Sequence, residues 1–406
     1  MDVKGAYLNA TIDRDLYIQQ PPGFVKTDGN GNDFVLKLNK SIYGPKQSGR
    51  NWFHTLQNFL LSMNFNQSSA DNCIFVKNEN GVKIIILVWV DDILVSSTNI
   101  DCINDIKNAL SLKFKMKDFG SIGDFLGIQF ENHDQFIKMH QGKFIDKLLL
   151  RFNMGDCYTK QLPCDINGTK IDFISDSPIL ENKTLFREII GSLIYLMSCT
   201  RPDISFIVNK LAQNMQNPSV AYLNAAKDVL RYLKGTKNFG LIFKKQKLDG
   251  PSGLEINGYS DSNWGMSSDR KSTTGYCFRL LDSALVSWKT KKQPTVALST
   301  CEAEFMALTS AVQEALYLKQ LLIDILGVGS INATILADNM GAIELSKNPV
   351  SHQRSKHIDI KFHFIRSHIE NKSVSIKYIK SDDNMADVFT KPYLKPKLAK
   401  FIIVQK

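Results

Sequence analysis

The fold of the first part of this chain is decided by one stretch, Ile84-Ile85-Ile86-Leu87-Val88-Trp89-Val90-Asp91-Asp92-Ile93-Leu94-Val95, in which two adjacent carboxylates separate two apolar runs. Apolar runs on either side of a short polar break predict a β-hairpin with Asp91 and Asp92 at its tip. Acidic residues are common in tight turns, so the pair alone favours an ordinary turn. Two like charges side by side also repel each other, and a bound divalent cation would relieve that repulsion. The rest of the sequence has to decide between these interpretations.

A third carboxylate stands at the start of the chain, where Asp2 opens the β-prone segment Asp2 to Leu8. If this segment pairs beside the predicted hairpin, three carboxylates converge. Three carboxylates suit two divalent cations about 3.5–4 Å apart, which can activate a 3′-hydroxyl and stabilise a leaving pyrophosphate. The position of Asp2 therefore favours a metal site over a simple turn.

Composition sets wide limits on the class of protein. The chain has 406 residues, of which 43% are hydrophobic and 22% charged, and this predicts two or three globular domains. The longest apolar run, Ile84 to Val90, is far shorter than the roughly 20 residues that span a bilayer. We see no signal or transit pattern at the N-terminus, so we expect an intracellular protein without a membrane partner. The seven cysteines form no CxxC pair, which predicts reduced thiols and no zinc site.

The net charge of +10 is concentrated near the C-terminus. From Ser346 to Lys406 there are 13 Lys and Arg against 5 Asp and Glu, a local net of +8 in 61 residues. Such a segment suits the phosphate backbone of a nucleic acid. Charge alone supports a solvated basic surface equally well, so both interpretations stay open.

Pattern changes along the chain predict three regions, 1–132, 133–250 and 251–406. The first mixes short strands with helices. The second is mainly helical, with apolar residues at helical spacing from Leu185 to Tyr195 and from Ala221 to Leu233. The third alternates strands and helices, and the predicted elements are strands Gly275 to Leu280, Leu285 to Trp288, Ala333 to Ala337 and Val374 to Ile379, with a helix from Cys301 to Leu326.

Acidic residues of the third region lie at the ends of predicted strands and in predicted helices. Asp261 follows the strand-like Ile256 to Ser260, Asp338 ends an apolar strand, and Asp387 sits in a predicted helix from Asn384 to Thr390. Carboxylates drawn from a strand, a helix, a strand end and a C-terminal helix are what a ribonuclease H site requires, because two cations must bind the scissile phosphate there.

Two glutamates compete for the place on the helix. Ser299-Thr300-Cys301-Glu302 fits the capping box, in which Glu302 turns back to the amide of the N-cap residue. Glu304 lies some 200° further round and shares a face with Leu308 and Ala311. We therefore assign Glu302 a structural role and Glu304 a catalytic one.

Several blocks of the first two regions stand in a fixed order. They read Asp2-Val3-Lys4-Gly5-Ala6-Tyr7-Leu8-Asn9, Gln20-Pro21-Pro22-Gly23-Phe24, Leu38-Asn39-Lys40-Ser41-Ile42-Tyr43-Gly44-Pro45-Lys46-Gln47, Trp89-Val90-Asp91-Asp92-Ile93-Leu94, Asp124-Phe125-Leu126-Gly127-Ile128, Arg187-Glu188-Ile189-Ile190-Gly191 and Thr200-Arg201-Pro202-Asp203. Together they resemble the reverse transcriptase of copia-type retrotransposons. The resemblance implies that Asp2, Asp91 and Asp92 are the catalytic, metal-binding acids. It further implies that Tyr7 is the gate that rejects a 2′-hydroxyl, and that Gly44 and Gln47 line the nucleotide and template.

Blocks of the third region resemble the ribonuclease H portion of the same elements. They read Tyr259-Ser260-Asp261-Ser262-Asn263-Trp264, Asp269-Arg270-Lys271-Ser272-Thr273-Thr274-Gly275-Tyr276, Ser287-Trp288-Lys289-Thr290-Lys291-Lys292-Gln293, Glu302-Ala303-Glu304-Phe305, Ala337-Asp338-Asn339, Lys356-His357-Ile358-Asp359 and Ala386-Asp387-Val388-Phe389-Thr390-Lys391. The implied catalytic and metal-binding residues are Asp261, Glu304, Asp338 and Asp387. Candidate phosphate contacts are Lys271, Lys289, Lys291 and Lys292, and a solvated basic face is the alternative interpretation for each of them.

The resemblance implies an α+β fold in three parts: a reverse transcriptase palm with a ferredoxin-like sheet, a helical connection, and an α/β ribonuclease H-like domain with a mixed five-stranded sheet. The implied functions are RNA-directed DNA synthesis and hydrolysis of RNA in RNA–DNA hybrids. We expect Mg²⁺, two ions per site, with Mn²⁺ as an alternative. The expected partners are an RNA–DNA hybrid, an RNA template with a DNA primer, and deoxynucleoside triphosphates.

Some positions depart from the family pattern. Trp89 stands where tyrosine is usual, Gly49 where proline is common and Phe186 where tyrosine is usual. The chain also begins one residue before Asp2, which predicts that the fingers are missing and the polymerase half is impaired. The alternative hypothesis is a non-catalytic nucleic-acid-binding remnant of a decayed retrotransposon. Localisation is expected in the cytoplasm, within a virus-like particle, or in the nucleus.

Overall fold

A computed structural model of the chain describes residues 1–164, 177–246, 254–265, 268–281, 283, 285–347 and 356–392, without the side chains of 356–359. The chain forms two compact units, Met1–Ile122 with Asp324–Gly327 and Gly123–Ile323 with Val328–Lys406. The finer division into three regions stays a prediction. None of the helices in the described residues has the length and apolar composition that crossing a membrane requires.

The first unit is built on an antiparallel sheet. Its strands are β1 (Asp2–Val3), β2 (Tyr17–Gln19), β3 (Val35–Lys37), β4 (Asn66–Gln67), β5 (Ile74–Glu79), β6 (Val82–Trp89), β7 (Asp92–Ser97) and β8 (Met116–Lys117). Its helices are α1 (Gln47–Ser62) and α2 (Ile100–Lys113). Six strands form one sheet in the order β4-β5-β6-β7-β1-β8, and β2 pairs with β3 separately. Strand β1 thus lies beside β7, which is the pairing that convergence of Asp2 with the hairpin acids requires.

The core of this unit follows from the alternation in β6. Ile84, Ile86 and Val88 are buried, because every second side chain of a strand points to the same face. Leu56 and Leu60, one turn apart on α1, join the same core, and α2 contributes to it as well. Burial of this one face holds the hairpin in register and leaves its tip at the end of the sheet.

The second unit contains the remaining elements. Its strands are β9 (Asp124–Phe125), β10 (Ile128–Asn132), β11 (Phe136–His140), β12 (Gly240–Lys244), β13 (Glu255–Asn263), β14 (Thr273–Leu280), β15 (Leu285–Lys292), β16 (Asn332–Ala337) and β17 (Ser375–Tyr378). Its helices are α3 (Gly142–Arg151), α4 (Thr184–Cys199), α5 (Ser205–Ala212), α6 (Val220–Gly235), α7 (Thr300–Leu326, which belongs to this unit up to Ile323), α8 (Met340–Lys347) and α9 (Lys356–Glu370).

The helical connection is confirmed, with one addition. Helices α4 and α6 match the two predicted segments and extend them by a few residues, and both contribute to a common apolar core with α3 and α5. The sequence did not predict that β11 and β12 pair at the two ends of this region, in a sheet of order β12-β11-β10-β9. Short strands whose partners lie a hundred residues apart leave little trace in local periodicity.

A mixed five-stranded sheet of order β15-β14-β13-β16-β17 completes the second unit. Strand β13 runs parallel to β16 and antiparallel to β14, and β16 runs parallel to β17. This arrangement confirms the predicted α+β class with a mixed sheet. Because β13 and β16 are parallel neighbours, residues that follow their carboxyl ends meet at one edge of the sheet.

Candidate active sites

The carboxylates Asp2, Asp91 and Asp92 form the first candidate site, named here the hairpin site. Asp2 lies directly opposite Asp92 in the β1–β7 pairing, and the amide of Val3 donates to the carbonyl of Asp91 at 2.8 Å. All three acids are partly exposed. Partial burial raises the pKa of Asp92, and the neighbouring charges of Asp91 and Asp2 raise it further. The structure therefore brings together the three acids that the sequence singled out.

The predicted gate, Tyr7, lies beside this site but not in a strand. Gly5 has a φ of 61°, which ends β1 after two residues and starts a short 3₁₀ helix, Ala6–Asn9. The expectation of a longer strand through Leu8 is wrong for this reason. The ring of Tyr7 lies 4.4 Å, between centroids, from the ring of Tyr43.

Tyr43 adds an aromatic group that the sequence argument did not single out. Its side chain is 59% exposed. Desolvation raises the pKa of Tyr43 and the charge of Asp91 raises it further, so its phenol lies within electrostatic reach of the hairpin site. Gly44, with a φ of 126°, and Gln47, the first residue of α1, follow directly. A side chain at Gly44 would meet no atom within 4 Å, so backbone conformation rather than packing requires glycine there.

The second candidate site, named here the sheet site, comprises Asp261, Glu304, Asp338 and Asp387. Ligand atoms of the first three all lie within 4.8 Å of one another. Asp261 is 5% exposed and Glu304 9% exposed, whereas Asp338 is half-buried. Among the described residues, the hairpin acids do not form so close a set.

The topology explains why these acids meet. Asp261 lies within β13, which continues to Asn263 and so extends past the predicted strand end. Asp338 directly follows β16, whose last residue Ala337 pairs with Ser260. Glu304 reaches in from α7, and its carboxylate accepts a hydrogen bond from the amide of Ser262 at 3.1 Å.

The structure places the two glutamates differently, with Glu304 in the acidic cluster and Glu302 at the start of α7. Leu308 and Ala311 are buried on the same face of α7 as Glu304. The amide of Glu302 donates to the Ser299 hydroxyl oxygen at 3.1 Å, as in a capping box. The carboxylate of Glu302 accepts from the amide of Leu298 at 2.9 Å, one residue before the predicted partner Ser299.

The fourth acid, Asp387, comes from a 3₁₀ helix, Met385–Phe389, and is 2% exposed. Its carboxylate lies 2.8 Å from the ammonium of Lys391. Burial raises the pKa of Asp261 to about 7, and the charge of Asp387 is the next cause, so these two carboxylates are close. The hydroxyl of Thr390 donates to the carboxylate of Asp261.

Glu304 is the most strongly shifted acid of the sheet site. Burial raises its pKa to about 9, with further contributions from the charges of Asp261 and Asp338. Carboxylates that repel each other in a desolvated place fit a divalent cation, because oxygen ligands are what Mg²⁺ prefers. The residues present therefore fit a divalent metal ion.

Comparisons with known proteins identify the family of this chain. The family described as reverse transcriptase (RNA-dependent DNA polymerase) matches residues 1–166. The retrovirus-related Pol polyprotein from transposon RE1 of Arabidopsis thaliana is 36% identical over 394 residues, 97% of this chain. The putative transposon Ty5-1 protein of Saccharomyces cerevisiae is 30% identical over 318 residues, which are 77% of this chain and all of that protein. This chain belongs to the copia-type retrotransposon Pol family.

The copia-type chain spans about a quarter of the length of the curated Pol relatives it matches, 26% in the case of RE1. Among solved structures, a foamy viral protease-reverse transcriptase in complex with an RNA/DNA hybrid overlaps 93% of this chain and 45% of its own. The TM-score of that overlap is 0.49 and the sequence identity is 13%.

Sequence reasoning missed the residues that bring the C-terminal part of this copia-type chain to the sheet site. Gly275 lies opposite Asp261 in the β13–β14 pairing. A Cβ there would lie 2.6 Å from Thr390 Cγ2, 2.8 Å from Phe389 Cβ and 3.0 Å from the Ala386 carbonyl oxygen. Glycine is therefore required for the 3₁₀ helix to lie against the sheet. Its position before an aromatic residue gave no signal of this role.

Asn384 fixes the same 3₁₀ helix from its other end. Its side chain accepts from the amide of Ala386 at 3.0 Å, as an N-cap, and donates to the carbonyl of Ser260 at 2.9 Å. An asparagine before a short helix is a recognisable capping signal, but its second partner on β13 could not be read from the sequence.

The predicted phosphate-contacting lysines are divided between two faces of the sheet. Thr290 of β15 is opposite Gly275, which is opposite Asp261, so these three residues share a face. Lys289 and Lys291 therefore point to the other face. Lys292 shares the face of the sheet site, and it forms an ion pair with Asp269 at 3.0 Å.

Lys271 is partly exposed and lies beside the ion pair that Lys292 forms with Asp269. The basic segment from Ser346 to Lys406 lies partly outside the described residues, which there comprise 346–347 and 356–392.

Proposed function

We propose that this chain carries two metal-dependent activities of a retrotransposon. The sheet site hydrolyses RNA in RNA–DNA hybrids, and the hairpin site extends a DNA primer on an RNA template. The observation that carries the first activity is the cluster of Asp261, Glu304 and Asp338, whose ligand atoms lie within 4.8 Å of one another. Four acids drawn from β13, α7, the end of β16 and a C-terminal 3₁₀ helix support it further.

At the sheet site, Asp261, Glu304, Asp338 and Asp387 would hold Mg²⁺, with Mn²⁺ as an alternative, and the metal would supply activation of water and stabilisation of the leaving oxygen. The chain itself supplies orientation. Thr390 holds Asp261 by a hydrogen bond, and the amide of Ser262 holds Glu304. The partner of this site is an RNA–DNA hybrid.

At the hairpin site, Asp2, Asp91 and Asp92 would hold the metal that positions the 3′-hydroxyl and the triphosphate. Tyr7 would lie under the sugar of the incoming deoxynucleoside triphosphate and exclude a 2′-hydroxyl by steric clash. Gly44 and Gln47 would line the nucleotide and template. The pairing of Asp2 opposite Asp92 supports this assignment.

The hydrolytic activity is tested by incubating the purified chain with Mg²⁺ and a hybrid labelled on its RNA strand. We expect cleavage by the wild-type chain and by Asp382→Asn, an exposed acid five residues from Asp387, but not by Asp338→Asn. Cleavage that persists in Asp338→Asn would contradict the proposal. Hybrid binding without cleavage in the wild-type chain would instead favour the non-catalytic remnant.

The polymerase activity is tested by primer extension with Asp91→Asn as the inactive variant. Asp105→Asn is the matched control, because Asp105 is an exposed acid of the same unit. We expect that whatever extension the wild-type chain supports is removed by Asp91→Asn and kept by Asp105→Asn. Equal extension by both variants would contradict the assignment of the hairpin acids.

A further inference from the structure

The turn of the hairpin site contains a conformation that valine rarely adopts. Val90 and Asp91 alone connect β6 to β7, since Trp89 pairs with Asp92. Val90 has a φ of 55°, in the left-handed region. A β-branched residue is strained there, and two-residue hairpin turns normally place glycine, asparagine or aspartate at such positions. The turn that carries Asp91 therefore needs support from its surroundings.

Burial does not provide that support. The Val90 side chain is 42% exposed, so the apolar core does not hold it in place. The support comes from hydrogen bonds to carbonyl oxygens of the turn. The indole N–H of Trp52 donates to the Val90 carbonyl at 2.6 Å, and the amide of Val3 donates to the Asp91 carbonyl at 2.8 Å. The turn is thus held on one side by α1 and on the other by β1.

Trp52 is itself fixed. It is 1% exposed, and its ring packs edge-on against Phe114 with centroids 5.2 Å apart. Three residues earlier on the same face of α1, a Cβ on Gly49 would lie 3.7 Å from the Tyr7 hydroxyl. One face of α1 therefore lies against both the proposed gate and the turn.

We propose that Trp52 is a positioning residue for the hairpin site. Its hydrogen bond holds Val90 in the left-handed conformation, and this fixes the directions in which Asp91 and Asp92 present their carboxylates. The inference rests on the proposed function, because it assigns the metal-binding role to those acids. The role of Trp52 is specific to its N–H group, and its apolar ring serves the core separately.

The test measures Mn²⁺ binding by electron paramagnetic resonance in the full chain carrying Asp261→Asn and Asp338→Asn, which removes the competing sheet site. In this reference chain, Trp52→Phe keeps an aromatic ring and loses the donor. We expect about tenfold weaker Mn²⁺ binding, the usual size of one lost hydrogen bond to a constrained group. The matched control is Trp288→Phe, which loses an indole bond of 2.7 Å to the Met197 carbonyl in the other unit and should change Mn²⁺ affinity less than about twofold.

A second substitution separates positioning from loss of packing. Val90→Gly removes the strain, because glycine adopts a positive φ freely. We therefore expect Trp52→Phe to weaken Mn²⁺ binding much less in a Val90→Gly background than in the reference chain. The urea midpoint of unfolding should show the same non-additivity, and it needs no metal.

The outcomes are distinguishable. Equal Mn²⁺ affinity in the reference chain and in Trp52→Phe overturns the positioning role. A loss of the same size in the reference chain and in the Val90→Gly background also overturns it, because packing alone then explains the effect. If Asp91→Asn leaves Mn²⁺ binding of the reference chain unchanged, the hairpin metal site itself is wrong and the positioning role falls with it. Weaker Mn²⁺ binding in Trp52→Phe, together with non-additive effects of Trp52→Phe and Val90→Gly on unfolding, supports both the hairpin metal site and the positioning role of Trp52.

Discussion

The hairpin site and the sheet site hold their carboxylates in different surroundings. Asp91 and Asp92 belong to a two-residue turn and the strand that follows it, and like Asp2 they are partly exposed. Asp261, Glu304 and Asp387 are buried, and they come from elements far apart in the sequence. The same residue types thus receive different environments, since a turn leaves acids in contact with water and a sheet edge covered by a helix does not.

This difference has an energetic consequence. Desolvation in the sheet site moves the pKa of Asp261 to about 7 and that of Glu304 to about 9, so these acids share protons near neutral pH unless a cation neutralises them. The sheet site is therefore the more preorganised and the more dependent on its metal.

The largest expected effect is on catalysis. Asp261→Asn should lower cleavage of an RNA–DNA hybrid by on the order of a thousandfold, because metal-assisted stabilisation of several kcal/mol is lost. Single-turnover cleavage with saturating Mg²⁺ measures this, with Asp382→Asn beside it. A loss of less than about tenfold would show that Asp261 is not a metal ligand. The sheet site would then no longer differ from the hairpin site by having a buried acid as a ligand.

The next effect is on the structure around the sheet site. Gly275→Ala should lower the free energy of unfolding by about 2–3 kcal/mol, because the added methyl group overlaps Thr390, Phe389 and the Ala386 carbonyl. The control is Gly191→Ala on α4, where a Cβ meets nothing within 4 Å and alanine favours the helix. Equal urea midpoints for the two variants would show that the 3₁₀ helix does not lie tightly on the sheet.

A pH effect of similar size is expected in the absence of divalent cations. Asp261 and Glu304 have pKa values raised above the ordinary 3.8 and 4.5, so the stability they contribute is complete below those values. It is lost as the pH rises through about 7 for Asp261 and about 9 for Glu304. In EDTA, the free energy of unfolding should fall by several kcal/mol between about pH 5 and pH 9, and Glu304 should contribute the larger part because its pKa is raised further.

Substitution identifies the groups responsible for this pH dependence. Glu304→Gln should remove most of the decrease, and Mg²⁺ should restore stability to the wild-type chain but not to the variant. Asp92→Asn should remove a smaller part of the decrease in the free energy of unfolding, because the Asp92 carboxylate is only partly buried. Identical pH profiles for Glu304→Gln and wild type in EDTA would contradict the burial of this charge.

A smaller effect concerns orientation within the sheet site. Thr390→Val keeps the shape of the side chain and removes the hydroxyl that donates to Asp261. We expect Mg²⁺ affinity to fall by about 10- to 100-fold, as for other groups that orient a metal ligand. Isothermal titration with Thr390→Ser, which keeps the hydroxyl, provides the control. If the serine variant binds Mg²⁺ as weakly as the valine variant, the hydroxyl does not act through Asp261.

Much of this organisation could be predicted from local sequence. The hairpin at Asp91 and Asp92 follows from two apolar runs around a polar break, and the choice of Glu304 over Glu302 follows from helix capping and helical periodicity. These inferences depend on residues within a few positions of one another. The hairpin and the positions of both glutamates agree with the structure, because burial of one face enforces the same periodicity, whereas the catalytic role of Glu304 stays a prediction.

The parts that could not be predicted depend on register between distant segments. Thr390 lies 129 residues from Asp261, and Gly275 matters only because it is opposite Asp261 in the sheet. The faces of Lys289 and Lys291 likewise follow from pairing across β14. Local patterns carry no information about such pairings, and Trp52 bonds to Val90 across 38 residues for the same reason.

The smallest expected effect concerns the two exposed tryptophans, one beside each site. Trp89 is 56% exposed, and within the described residues its indole has no hydrogen-bond partner. Trp264 is 47% exposed, and its indole donates to the Ala297 carbonyl at 3.0 Å. Trp89→Tyr, which restores the usual family residue, should change the free energy of unfolding by less than about 0.5 kcal/mol, whereas Trp264→Tyr should cost about 1 kcal/mol for the lost bond. Urea unfolding of both variants measures this. A larger loss of stability in Trp89→Tyr would show that the turn is packed more firmly than the exposure of Trp89 indicates. The hairpin site and the sheet site would then differ less in burial than their exposed fractions suggest.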